Sequence, residues 1–262
     1  MILGVHGIGN YKYFRDNGSE EAAAVALAGR WAEALGRNDI AVAYYAHLLH
    51  RGTAMGAEDD PLRLEEGAQD LLIEWAELLQ PEVRIAQGPR TRRVRQAAEW
   101  ITVRFGAAAR LFAIRFCREV HTYLSTPDSP RRLGARRAVA DAIERHRPEV
   151  IVAHSLGSVV TYETLWAHQE HDVELLVTIG SPLAMPGVVA PRLVPQGAGM
   201  PPRVKRWVNV ADVGDVVAIP RGGLRDHFDG VERDVEVVVG QWDFHTATGY
   251  LRTAEVAGLL AL

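Results

Sequence analysis

Val150-Ile-Val-Ala-His-Ser-Leu-Gly-Ser158 is the stretch from which the rest of the chain can be read. Val150 to Ala153 is an unbroken apolar run, the pattern of a strand buried on both faces of a parallel sheet. A helical pattern starts at Leu156 and runs to about His168, which leaves His154-Ser155 as the whole turn between the two elements. A strand that passes into a helix through one serine needs small residues two positions to either side, and Ala153 and Gly157 supply them. This is the pattern of a nucleophile elbow, with alanine in place of the first glycine of G-x-S-x-G. It lifts the Ser155 hydroxyl above the sheet and sets the Leu156 backbone N–H, at a helix N-terminus, beside a developing oxyanion. The bland alternative is a serine N-cap followed by an incidental glycine.

Working outward, Ile2-Leu-Gly-Val-His6 predicts another buried strand, running into the glycine-rich His6-Gly7-Ile8-Gly9-Asn10. Ser19 is placed to cap an alanine-rich helix over Glu20 to Leu35 that Gly36 closes, and Ile40 to Tyr45 reads as the second strand. From Pro61 to Arg147 the pattern becomes helix after helix: Leu62 to Leu79, Thr91 to Leu124 with an interruption near Gly106, and Arg131 to Arg147. Strands resume at Val150 to Ala153, Val173 to Ile179, Val204 to Val210 and Val231 to Val239, and a last helix is expected from Thr246 to Leu262. The expected fold class is α/β, with a mostly parallel sheet formed by residues 1–60 and 148–262 and a helical insertion over 61–147.

The chain has 262 residues, of which 48% are hydrophobic and 24% charged, enough apolar content to exclude a disordered chain. Its single cysteine, Cys117, lies in an apolar run and reads as core filler; no internal disulfide is possible. No basic leader precedes the first strand, and no charge-free apolar run reaches membrane-spanning length, so a cytoplasmic protein is expected. The formal net charge of -4 conceals a split: residues 84–147 hold 15 arginines against 5 acids, and the remainder carries 14 basic against 28 acidic residues.

These motifs resemble those of the α/β-hydrolase superfamily, and within it the serine esterases and lipases with an Ala/Gly-His-Ser-x-Gly elbow. The resemblance covers nearly the whole chain outside the insertion. It implies that Val5-His6-Gly7-Ile8-Gly9 forms the other half of an oxyanion hole, with the N–H groups of Ile8 and Leu156 as donors and His6, Gly7, His154 and Gly157 as the supporting loop residues. Because the chain opens directly in this strand, a minimal sheet of about six strands is expected. A dinucleotide fingerprint is the competing reading of Gly4, Gly7 and Gly9, but their spacing is G-x-x-G-x-G and no acid ends the second strand.

A serine nucleophile needs a base, and the order serine, acid, histidine restricts it to His168, His171, His227 or His245. His168 and His171 sit on or just after the elbow helix. His245, after the last strand in Gln241-Trp-Asp-Phe-His-Thr246, is preferred to His227. For the acid, Asn209 to Pro220 resembles the acid loop of many lipases and favours Asp215, with Asp212 as the alternative. Ser181, before Pro182, reads as a turn residue.

The insertion, rich in large apolar residues such as Trp100, Phe112 and Phe116, is expected to form a lid or pocket wall. Its basic excess suits an anionic lipid surface, a phosphate-bearing acyl donor or an acidic carrier protein, the last with Arg131, Arg132, Arg136 and Arg137 as a docking cluster, or a solvated face. No nucleic-acid motif accompanies the charge. The expected activity is hydrolysis of a carboxylic ester through an acyl-enzyme by Ser155, His245 and Asp215, with no metal or organic cofactor. A thioesterase or acyltransferase, and a non-catalytic binding module on the same scaffold, are the alternatives.

Overall fold

The computed structural model describes residues 1–52, 60–79, 88–240 and 245–261. Strands β1 (Ile2–Val5), β2 (Ile40–Ala43), β3 (Val150–His154), β4 (Leu175–Ile179), β5 (Trp207–Asp212) and β6 (Val231–Val237) form one sheet. Their order is β2-β1-β3-β4-β5-β6, and every pairing is parallel. The α/β class and the six-stranded sheet expected from the sequence are therefore present. Val173 and Val204, expected within strands, instead form an isolated bridge just ahead of β4 and β5.

Helices α1 (Tyr11–Asn17) and α2 (Glu20–Leu35) connect β1 to β2. Between β2 and β3 lie α3 (Ala46–Leu49), α4 (Glu66–Leu79), α5 (Arg90–Phe105), α6 (Ala107–Leu124) and α7 (Pro130–His146). Helix α8 (Leu156–Ala167) follows β3, and α9 (Ala247–Leu251) and α10 (Ala254–Leu259) close the described chain. Local chemistry sets several boundaries. The Ser19 hydroxyl accepts from Ala22 N to start α2, and the Ser129 hydroxyl accepts from Arg132 N, with Pro130 at the first position, to start α7. The expected long helix breaks at Gly106, and the expected last helix breaks where Thr253 caps α10. Helices α1 and α3 were not anticipated; both are too short for a readable apolar period.

The sheet is buried on both faces, with a side-chain period of two. Leu3, Val5, Ile151 and Ala153 point to one face and join residues of α4 to α8. Ile2, Val150, Val152 and Val177 point to the other and join residues of α2, α9 and α10. The segment expected as one insertion divides in two. Helices α4, α5 and α6 pack on one another, whereas α7 packs on β1, β2 and α8 and serves the sheet as its crossover between β2 and β3. Leu72, Trp75, Ile101 and Phe116 of the three-helix group are buried in the same cluster as Leu3 and Ile151, so the group is continuous with the core. Among the described residues no helix is long and apolar enough to cross a membrane.

Candidate active site

The chain leaves β1 toward β2 and leaves β3 toward β4, in opposite directions along the sheet, which puts the switch point at the C-terminal ends of β1 and β3 and opens a crevice there. The chain places His6 to Asn10 on one side of this crevice and Ser155 on the other. Ser155 has φ 54° and ψ -130°; apart from glycine, only it and Arg147 take positive φ among the described residues. Such a conformation costs about 1–3 kcal/mol and persists only where its surroundings impose it. Here Ser155 N donates to Ile179 O at 3.1 Å, and the Ser155 carbonyl accepts from Ser158 N at 2.9 Å and Ser158 Oγ at 2.6 Å. Ser181 Oγ lies 2.7 Å from Ser158 Oγ, a structural part in the turn in keeping with its sequence reading.

The two loops interlock without room for side chains. A Cβ on Gly157 would lie 2.4 Å from Val5 O and 2.5 Å from His6 O, and one on Gly7 would lie 2.6 Å from Ser155 Cβ. Glycine at both positions is what brings the backbone after β1 against the serine.

His245 immediately precedes the turn capped by Thr246, whose hydroxyl accepts from Gly249 N at 3.1 Å. Its Nε2 lies 2.8 Å from Ser155 Oγ, and its Nδ1 lies 2.7 Å from Asp215 Oδ2. A carboxylate only accepts, which assigns the proton to Nδ1 and leaves Nε2 to accept from the serine hydroxyl. Asp215 Oδ1 accepts from Val217 N at 2.8 Å, and Oδ2 accepts additionally from the Tyr250 hydroxyl at 2.6 Å. Asp212, the other acid considered, is committed to the backbone: its carboxylate accepts from Gly214 N at 2.6 Å and from Val239 N. His227 is exposed on the connection between β5 and β6, where its N donates to Leu224 O at 2.9 Å. Residues 241–244, expected just ahead of the base, lie outside the described residues.

The loop after β1 is held by its own side chains. Tyr45 N donates to His6 Nε2 at 3.2 Å, so the His6 proton is on Nδ1, which donates to Gly7 O at 2.8 Å. Asn10 Nδ2 donates to Gly7 O at 3.0 Å as well. With that carbonyl fixed, peptide planarity fixes the Ile8 N–H in the opposite direction. Gly9 N donates to both carboxylate oxygens of Glu119 on α6, at 3.0 and 3.2 Å. Burial lowers the His6 pKa to about 4 and carries that of His154 well below the ordinary imidazole value, so both rings are neutral near pH 7. His154 packs on His245 with ring centroids 4.8 Å apart, and Phe112 of α6 meets His245 edge-on at 5.1 Å.

Ser155 is fully buried, while a cleft of about 270 Å³, lined by Gly7, Ile8, Phe112, Arg115, His154 and His245, reaches the histidine side of the site. Cys117 is fully buried in the core, and burial raises its thiol pKa, which makes it inert. Among the described residues no group of three or more His, Cys, Asp or Glu side chains is placed to hold a metal ion.

The arginines considered for docking are largely committed elsewhere. Arg132 is fully buried against Glu163, Arg131 donates to the carbonyls of Leu48 and His50, and Arg137 pairs with Asp141 at 2.8 Å. Conversely, Tyr250, Asn10 and Glu119 escaped the sequence reading. Asn10 closes the glycine-rich loop and offered a turn signal, whereas Tyr250 and Glu119 sit in ordinary helical sequence with nothing to mark them. No family model matches the chain, and comparison with curated proteins and with solved structures produced no match either.

Proposed function

We propose that this protein is a serine hydrolase of the α/β-hydrolase type that cleaves a carboxylic ester through an acyl-enzyme. The observation that carries the reading is the hydrogen-bonded series Ser155 Oγ, His245 Nε2, His245 Nδ1 and Asp215 Oδ2, with steps of 2.8 and 2.7 Å, at the switch point of a parallel sheet. The strained backbone of Ser155 adds support, since such strain is expected of a serine held at an elbow.

In the proposed reaction Ser155 Oγ attacks the ester carbonyl as its proton passes to His245 Nε2. Asp215 stabilises the imidazolium through Nδ1–H, and the N–H groups of Ile8 and Leu156 receive the oxyanion. The imidazolium then protonates the departing alcohol, leaving the acyl group on Ser155. A water gives its proton to Nε2, attacks the acyl carbonyl and returns the serine, releasing the acid. This chemistry uses no metal or organic cofactor. The reading also gives α4 to α6 the part of a cover, supported by the complete burial of Ser155 and the contact of Phe112 with His245.

A fluorophosphonate probe tests the proposal. Wild-type protein should be labelled at Ser155 and should turn over p-nitrophenyl butyrate, and Ser155→Ala and His245→Ala should do neither. A folded wild-type sample that neither reacts with the probe nor hydrolyses the ester would sink the idea.

A further inference from the structure

A second cavity, of about 310 Å³, adjoins the cleft at His245, and the two share Gly9, Lys12 and Arg115. Its charged lining is Lys12, Arg15, Arg51, Arg115, Arg118 and Glu119, five cations against one carboxylate. Asp16 pairs with Arg15 and Glu65 with Arg51, and Lys12 and Arg115 are the two cations that line both the cavity and the cleft. Glu119 is the one carboxylate in the lining, so it offsets at most one of these five charges. Arg115 lies over the loop after β1: a Cβ on Gly9 would come 3.3 Å from its Cδ. The rings of Tyr11 and His50 stack face to face at 3.5 Å along the same cavity and give it a flat wall.

We infer that this cavity is an acid-group subsite, and that the substrate is an ester bearing a carboxylate or phosphate a few bonds from the scissile carbonyl. The inference rests on the hydrolase reading for its location. Gly9 follows Ile8, the proposed oxyanion donor, so an anion held at Arg115 and Lys12 stands beside the loop that carries that donor. Arginine forks match carboxylate and phosphate oxygens, and because Lys12 and Arg115 are both exposed, salt screens the contact. A nucleic acid or a flat membrane would need the charge on a continuous face, whereas here it lines a cavity that shares Gly9, Lys12 and Arg115 with the cleft at His245.

The experiment compares kcat/KM for p-nitrophenyl butyrate, for mono-p-nitrophenyl glutarate and for a butyrate ester of a phosphorylated alcohol. At least one anionic ester should be preferred over the neutral one by about tenfold, and the ratio should collapse in Lys12→Gln/Arg115→Gln. No preference, or a preference that survives in the double variant, overturns the subsite. A short-chain phosphatidic acid is assayed below and above its micelle concentration; turnover only above it means recognition at a lipid interface and also overturns the subsite. Calorimetry of phenyl phosphate with Ser155→Ala separates the two claims. Binding that is lost when Lys12→Gln and Arg115→Gln are added supports the subsite even if no ester is cleaved, in which case only the hydrolase reading fails. Absence of both binding and preference removes the subsite, and probe labelling then decides the hydrolase reading alone.

Discussion

Tyr250 Oη donates to Asp215 Oδ2 at 2.6 Å, on the same carboxylate oxygen that receives Nδ1–H of His245 at 2.7 Å. The phenol also accepts from Asp212 N at 2.9 Å, so it joins the end of β5 to the acid loop. Burial and the charge of Asp215 raise the tyrosine pKa, which keeps it a donor across the working pH range. A helix that carries no catalytic side chain thereby fixes the orientation of the acid.

Tyr250→Phe removes one hydrogen bond to a charged acceptor, about 1.5 kcal/mol. Under the proposed mechanism kcat for p-nitrophenyl butyrate should fall about tenfold with KM little changed. An unchanged kcat would reduce Tyr250 to a packing residue.

The backbone of Ser155 yields a reversal of the usual order of residue preference. Alanine and glycine both remove the hydroxyl, but only alanine keeps a Cβ in the positive-φ conformation. Ser155→Gly should therefore be more stable than Ser155→Ala by about 1 kcal/mol, or about 2–4 °C in Tm. Equal or inverted melting temperatures would show that the turn is not strained.

Glu119 should impose a pH dependence on stability. Its pKa is raised from 4.5 to about 7, chiefly by burial, against the hydrogen bond from Gly9 and the opposing charges of Arg115 and Arg118. The native state then holds the proton more tightly than the unfolded chain, so this contribution is full below about pH 4.5 and is lost as pH rises toward about 7. The loss is about 2–3 kcal/mol. Glu119→Gln keeps an acceptor for Gly9 and cannot ionise, so in urea titrations its stability relative to wild type should increase from about pH 5 to about pH 8. A difference that stays constant with pH would contradict the assignment.

Arg132 and Glu163 form a fully buried ion pair joining α7 to α8, and Glu163 also accepts from Tyr123 Oη at 2.7 Å and Val194 N at 3.0 Å. Glu163→Ala would strand a buried guanidinium and should cost about 3–5 kcal/mol. Arg132→Met combined with Glu163→Leu should recover part of that loss, because neither charge is then left alone. Denaturant midpoints of the single and double variants measure the coupling.

Much of the fold was legible because short-range rules govern it. Short apolar or valine-rich runs marked all six strands to within a few residues, and the Ser19 cap marked the start of α2. The serine of the site was legible for the same reason, since strand, turn and helix are contiguous there. The preference for Asp215 over Asp212 rested on a resemblance alone. Asp212 ends β5 and Asp215 lies three residues on, and the return of Val239 and His245 from elsewhere in the chain assigns one to a backbone amide and the other to the imidazole.

The sequence by itself determined the parallel α/β class, the strained turn at Ser155 and the glycines that let the β1 loop approach it, because each depends on neighbouring residues. Tertiary structure brought the preferred His245 and Asp215 into one hydrogen-bonded series with Ser155, and it alone decided that Tyr250 braces the acid, that α7 packs on the sheet, and that Arg132 is buried rather than offered to a partner. Those outcomes depend on contacts across 30 to 110 residues of chain, such as His245 with Asp215 and Gly9 with Glu119. Composition and periodicity carry no information about which distant side chains share a pocket, and packing supplies it.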